Sequence, residues 1–178
     1  MRKVLGTLCS VGALVAVAAC GSDENSGTKV SSAGSSPSAQ ATKALAAPTN
    51  FKVGDQIKVG DTIMLTVTQV QAPVDAGNEF INPKNGQFMT VMVSLQNVST
   101  KPQLVSSLIN FELRDDSGQS YTETLLPNAP KPPDGSIAPN DKLAGGLTYD
   151  VPKGKSFKLY FKNNAFSSGQ VIIDLGQH

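Results

Sequence analysis

Residues 89–97 read Met-Thr-Val-Met-Val-Ser-Leu-Gln-Asn, and the spacing within this stretch decides the fold. Met89, Val91, Val93 and Leu95 fall on one face of an extended chain, with Thr90, Ser94 and Gln96 on the other. Successive side chains of a strand point to opposite faces, so this period of two marks a strand buried on one side. Upstream, Ile63, Leu65 and Val67 alternate with Met64, Thr66 and Thr68, while Val70 falls out of phase. That break predicts a β-bulge near Thr68 or Gln69. Downstream, further faces are formed by Ile109, Phe111 and Leu113, by Leu143, Leu147, Tyr149 and Val151 with Gly145 interrupting, by Phe157, Leu159 and Phe161, and by Val171, Ile173 and Leu175. Shorter strand candidates are 51–59 and 119–124.

The punctuation between these runs is that of β-turns: Gly60-Asp61, Asn85-Gly86 and Asp116-Ser117-Gly118 accept left-handed backbone angles. No helical stripe follows residue 48. Seven or eight strands in about 130 residues predict an all-β fold, an immunoglobulin-like antiparallel β-sandwich, with a barrel as the alternative. The chain then divides into a signal segment (1–19), a low-complexity Ser/Ala/Gly/Thr tether (20–48) and the sandwich (49–178). A flexible tether of about 28 residues has an rms reach of about 30 Å.

Three blocks resemble a telokin-like, immunoglobulin-fold family of bacterial lipoproteins of unknown function. They are residues 82–97 (NPKNGQFMTVMVSLQN), 110–121 (NFELRDDSGQSY), and 137–146 (IAPNDKLAGG) running on to Val151-Pro152. The resemblance spans roughly 54–163 and extends to small secreted actinobacterial antigens. It implies a sandwich on an exported protein, and it brings no catalytic residues with it.

The amino terminus carries a localisation signal. Arg2 and Lys3 precede an apolar run from Val4 to Ala19, which is shorter than the ~20 residues needed to cross a bilayer. The run ends in Val17-Ala18-Ala19-Cys20, similar to the bacterial lipobox: an aliphatic residue, two small residues and a cysteine. In such signals the thiol takes up a diacylglycerol and the peptidase cuts between Ala19 and Cys20. The expectation is a protein held by lipid at Cys20 on the extracytoplasmic face of the cell membrane. The two cysteines, Cys9 and Cys20, both precede the domain, so it has neither a disulfide nor a thiol nucleophile.

Loss of Arg2 and Lys3 takes the formal charge from +1 to −1, which leaves no basic surplus for a nucleic acid. The single histidine is the terminal His178, and no nucleophile–base motif occurs, so no enzyme activity is expected. Asp115-Asp116-Ser117-Gly118 lacks the ligand ladder of a calcium loop and reads as a hairpin turn. Neither cofactor nor metal is expected. The leading reading is a non-catalytic binding or interaction domain, whose partner is another cell-envelope or extracellular protein. The alternatives are a carrier of small apolar ligands, with a pocket between the sheets, and a carboxylate-dependent hydrolase.

Two long connections attract attention, 72–86 with Phe80 and Ile81, and 125–141 with five prolines. Phe80 and Ile81 are expected to plug the end of the sandwich. If every connection reverses the chain, the tether and Phe80 share one end, and the proline-rich connection and Phe166 share the other. Pro130, Pro132, Pro133 and Phe166 are therefore the expected interaction surface.

Overall fold

The computed structural model describes residues 27–30, 50–163 and 170–178. In chain order its strands are β1 (Gly27–Val30), β2 (Phe51–Lys52), β3 (Gln56–Val59), β4 (Ile63–Val74), β5 (Gln87–Asn97) and β6 (Gln103–Val105). A single helical turn, α1 (Ser107–Asn110), precedes β7 (Phe111–Asp115), β8 (Ser120–Tyr121), β9 (Gly135–Ile137), β10 (Lys142–Val151), β11 (Ser156–Phe161) and β12 (Val171–Gln177). One sheet has the order β1-β3-β4-β5-β10, the other β2-β12-β11-β7-β8, and β6 and β9 form a two-stranded ribbon. The expected antiparallel sandwich is thus present, and one pair, β2 with β12, runs parallel.

The alternation read from the sequence is the packing observed, except that Thr90 on the face expected to be open is also fully buried, its hydroxyl bonded to that of Thr148 (2.8 Å). Ile63, Leu65, Val67, Met89, Val91, Val93 and Leu95 from the first sheet meet Leu113, Phe157, Leu159, Phe161, Val171 and Ile173 from the second, all essentially without solvent contact. The register of β4 against β5 skips between Val67 and Gln69, so Thr68 is the predicted bulge. Beyond it the phase inverts, and Val70 and Ala72 pack against the same core. The rings of Phe111 and Phe161 lie 4.9 Å apart, and Tyr121 meets Phe157 edge-on at 5.9 Å.

Four expectations are corrected. Ile109 does not begin a strand; it lies on α1 and is 62% exposed. The cause is Asn110, whose Oδ1 accepts the Ser106 N–H (2.8 Å) and whose Nδ2 donates to the Lys162 carbonyl (2.7 Å), closing a turn before β7 can start. The segment 51–59 is not one strand. β2 belongs to the second sheet, and the turn at Gly54 (φ +91°) hands the chain to β3 in the first.

The third correction concerns the proline-rich connection, which does not occupy one end. Its start packs with the 72–86 loop in a second apolar cluster of Ala76, Phe88 and Leu126 with Val74, Ile81 and Ala129. It then runs down the open edge of β10, where Thr124 N–H donates to the Thr148 carbonyl (2.7 Å) and Gly146 N–H to that of Lys131 (2.9 Å). It finishes at the opposite pole, where Asn140 N–H bonds the Asn97 carbonyl. The two-residue β8 is the reason, because it releases the chain from the second sheet early enough to cross to the first.

Fourth, the tether and Phe80 do not share an end, as β1, within residues 20–48, shows. It pairs antiparallel with β3, Gly27 opposite Val59 and Val30 opposite Gln56. Gly27 therefore sits at the pole of the Gly60–Thr62 turn. Val98, Asn163, α1 and Asp141 gather at this same pole through the Val98–Thr62, Asn163–Thr62, Lys162–Asn110 and Asn97–Asp141 hydrogen bonds. The loop carrying Phe80 is at the far pole, opposite to the expectation that it shares an end with the tether.

Core truncations Val93→Ala and Phe111→Ala should each destabilise the domain by roughly 1–4 kcal/mol, read from urea midpoints. Ile109→Ala, on the exposed turn, should stay within about 0.5 kcal/mol of the parent in the same assay.

Candidate functional site at the Phe80 pole

The loop between β4 and β5 is pinned along its length by its own polar residues. Asp75 Oδ1 accepts the Gly77 N–H (2.8 Å), and Asn78 Oδ1 accepts the Phe80 N–H (2.9 Å). The Ile81 N–H donates to the Asn78 carbonyl (3.0 Å), and Asn82 Nδ2 to that of Glu79 (3.2 Å). These are the local Asx-type bonds for which Asp and Asn are selected in turns. Asp150 on β10 then receives the N–H groups of Lys84 (2.7 Å) and Asn85 (3.0 Å), one on each carboxylate oxygen. Gly77 (φ +71°) lies directly under the Asn128 amide, so a Cβ there would collide with it.

This scaffold separates two neighbouring apolar residues. Ile81 turns inward onto the cluster with Phe88 and Leu126, whereas Phe80 stands out with 84% of its surface exposed. The expectation that both plug the sandwich holds for Ile81 alone. Beside Phe80 is a shallow groove of about 420 Å³ lined by Asp75, Glu79, Ile81, Asn82 and Phe88. A second groove of about 490 Å³, between β8 and β10, is lined by polar groups including Asn85, Gln119, Tyr121, Thr124 and Asp150.

Nearby, the Asp115–Gly118 segment is the hairpin turn expected. Asp115 Oδ1 accepts the Ser117 hydroxyl (2.6 Å) and the N–H groups of Ser117 and Gln119 (both 2.9 Å), and Oδ2 accepts the Tyr121 hydroxyl (3.0 Å). The Ser117 hydroxyl leads the groups that hold the carboxyl at about 2, against the opposing pull of desolvation. Desolvation, with the bond to Asp115 second, pushes Tyr121 up to about 12.

The three prolines expected on the interaction surface differ in exposure. Pro130 is exposed, Pro132 half-buried and Pro133 buried. A Cβ on Gly145 would lie 2.5 Å from the Pro133 nitrogen and 2.6 Å from the Lys131 carbonyl, so the prolines are laid tightly along the β10 edge. Phe166, Ala19 and Cys20 lie outside the described residues. Of the carboxylates, Glu123 is held above the ordinary range chiefly by burial, with the neighbouring Asp134 charge adding to it. Asp134 itself is engaged by the Ser107 N–H (2.6 Å).

What sequence reasoning missed is Phe80 as a displayed residue. The Asp75 and Asn78 spacing signals a loop bonded to itself, but which apolar side chain turns inward is set by Leu126, far along the chain.

A family model described as Domain of unknown function (DUF4352) matches residues 51–172. Among solved structures, the yjhA protein of Bacillus subtilis superposes with a TM-score of 0.56 at 19% identity, covering 70% of this chain and 98% of that one. The ycdA protein of the same species, described as a candidate lipoprotein, gives 0.54 at 16% identity over 65% of this chain. This chain spans 37% of the length of ycdA. The secreted protein MPT63 of Mycobacterium tuberculosis gives 0.49 at 14% identity, covering 74% of this chain and 99% of that one. No curated protein matches the chain.

Because the folded carboxyl of Asp115 lies below its ordinary value of 3.8, its stabilising effect is complete above that value and is lost as pH falls toward 2. The difference in urea midpoint between the parent and Asp115→Asn should therefore shrink between pH 5 and pH 2. A constant difference would show that the carboxylate is not what holds the turn.

Proposed function

We propose that this chain, which belongs to the DUF4352 family, is an exported cell-envelope protein anchored by lipid at Cys20, with its sandwich serving as a non-catalytic binding module. The anchor reading rests on Arg2 and Lys3, the apolar run to Ala19 and the Val17-Ala18-Ala19-Cys20 motif. Two acyl chains on one cysteine satisfy the two-signal requirement for stable membrane attachment.

The observation that carries the binding reading is Phe80. A phenylalanine 84% exposed on a loop locked by six or more hydrogen bonds has little conformational freedom left to lose on association. Burying such a ring in a partner contributes about 1.5–3 kcal/mol. Asp75 and Glu79 line the adjoining groove and supply the polar rim that protein interfaces show. The partner class is another cell-envelope or extracellular protein, approached from the pole opposite Gly27.

Cys20→Ser should abolish incorporation of labelled fatty acid and leave the protein unprocessed or shed. Membrane retention of the parent without any label would remove the anchor from the account. For the binding half, a photo-crosslinking residue placed at Phe80 on intact cells should trap a discrete protein. The purified partner should then bind Phe80→Ser at least about 30-fold more weakly, at an unchanged melting temperature. Equal affinity for the two forms would refute the role of Phe80.

A further inference from the structure

We propose that the pole bearing Thr62 rests directly on the lipid bilayer, so that the domain is docked rather than suspended; this rests on the lipid-anchor reading above. The pairing of β1 sets the distance. Gly27 is fixed opposite Val59, beside the Gly60–Thr62 turn, and only residues 21–26 separate it from Cys20. Seven Cα–Cα steps extend at most about 25 Å, even when fully stretched. The membrane-bound cysteine is therefore leashed to this pole and to no other.

What that pole displays suits a lipid surface. Leu108 and Ile109, consecutive on α1, are 73% and 62% exposed. Neighbouring Val98, next to Thr62, is 37% exposed, and Leu104 on β6 is 78% exposed. The turn that presents Leu108 and Ile109 is bolted to the body by the Asn110 side chain and by the Lys162 N–H to Asn110 carbonyl bond (2.9 Å). The backbones of Lys101 and Lys162 are bonded to Asn97 and Asn110 at this pole, and lysines there suit headgroup phosphates while apolar side chains enter the acyl boundary. The short leash makes docking intramolecular, so a small apolar contact suffices where a free domain would not bind.

The test uses the full lipidated protein in vesicles of phosphatidylcholine and phosphatidylglycerol. No other thiol is free once Cys20 is acylated and the signal removed, so Leu108→Cys and Phe80→Cys can each carry one environment-sensitive fluorophore. With a nitroxide-bearing lipid as quencher, the label at 108 should be quenched several-fold more than that at 80. Adding Ile109→Glu should reduce the quenching at 108, and its exposure keeps that change out of the core. Mass spectrometry of the amino-terminal peptide reports the lipid independently. Lipid present with equal quenching at the two positions, or stronger quenching at 80, overturns docking and leaves the anchor standing. Lipid absent overturns both.

Discussion

A sandwich with no disulfide between its sheets has to close its ends with hydrogen bonds, and at the Thr62 pole that closure converges on Asn97. The residue is fully buried, and both ends of its amide are engaged. Oδ1 accepts the N–H (2.9 Å) and hydroxyl (2.7 Å) of Ser99, and Nδ2 donates to the carbonyls of Lys101 (2.7 Å) and Ile137 (2.9 Å). Its backbone joins Asp141 and Asn140. One side chain thus ties the end of β5 to the start of β10, to the segment leading into β6 and to the end of β9. A buried amide with its partners satisfied specifies one geometry, because any slip leaves polar groups unpaired in the interior. Asn97, Val98 and Ser99 also match the Asn-X-Ser acceptor pattern for glycosylation, but the Asn97 amide is buried in the folded domain.

How much of the architecture was legible in the sequence follows from which forces act locally. Period-two burial is a property of a strand and its own face, so Ile63–Val67, Met89–Leu95 and Phe157–Phe161 could be read without knowing their neighbours. The same arithmetic located the bulge at Thr68 from the phase of Val70 alone. Ile109 misled because a polar side chain next to it, Asn110, captures backbone groups and overrides the pattern. The division of 51–59 between two sheets depends on which strands stand beside it, namely β12 and β4, and no local spacing encodes that choice. The displayed Phe80 was hidden for a similar reason, since its neighbour Ile81 finds Leu126 from a segment far along the chain.

The proline-rich connection shows how a local signal can be read correctly and assigned the wrong task. Prolines cannot donate to a ladder, which makes such a segment a poor template for further strands. Laid along β10, it covers that edge with a segment in which Pro127, Pro130, Pro132 and Pro133 have no N–H to offer a further strand. Gly145 and Gly146 are the complementary feature. A Cβ at Gly146 would press on Pro130, Met92 and Thr90 at 3.0–3.1 Å, so the small residues in β10 let the cover lie close. At the other end of the same sheet, β1 covers β3.

That covering strand also determines how the molecule would bear load. β1 runs antiparallel to β3 with four registered pairs, and its amino-terminal residue is the one nearest the Thr62 turn. A tug along the strand axis from the Gly27 side stresses all four pairs together, in shear, instead of peeling them one at a time. Pulling on Phe51 toward the same pole stresses β2 against the parallel β12 in the same manner. A partner gripping the far pole would thus stretch the domain along its strands, the direction in which a sheet yields most slowly, and the rate of forced opening would govern how long the linkage holds.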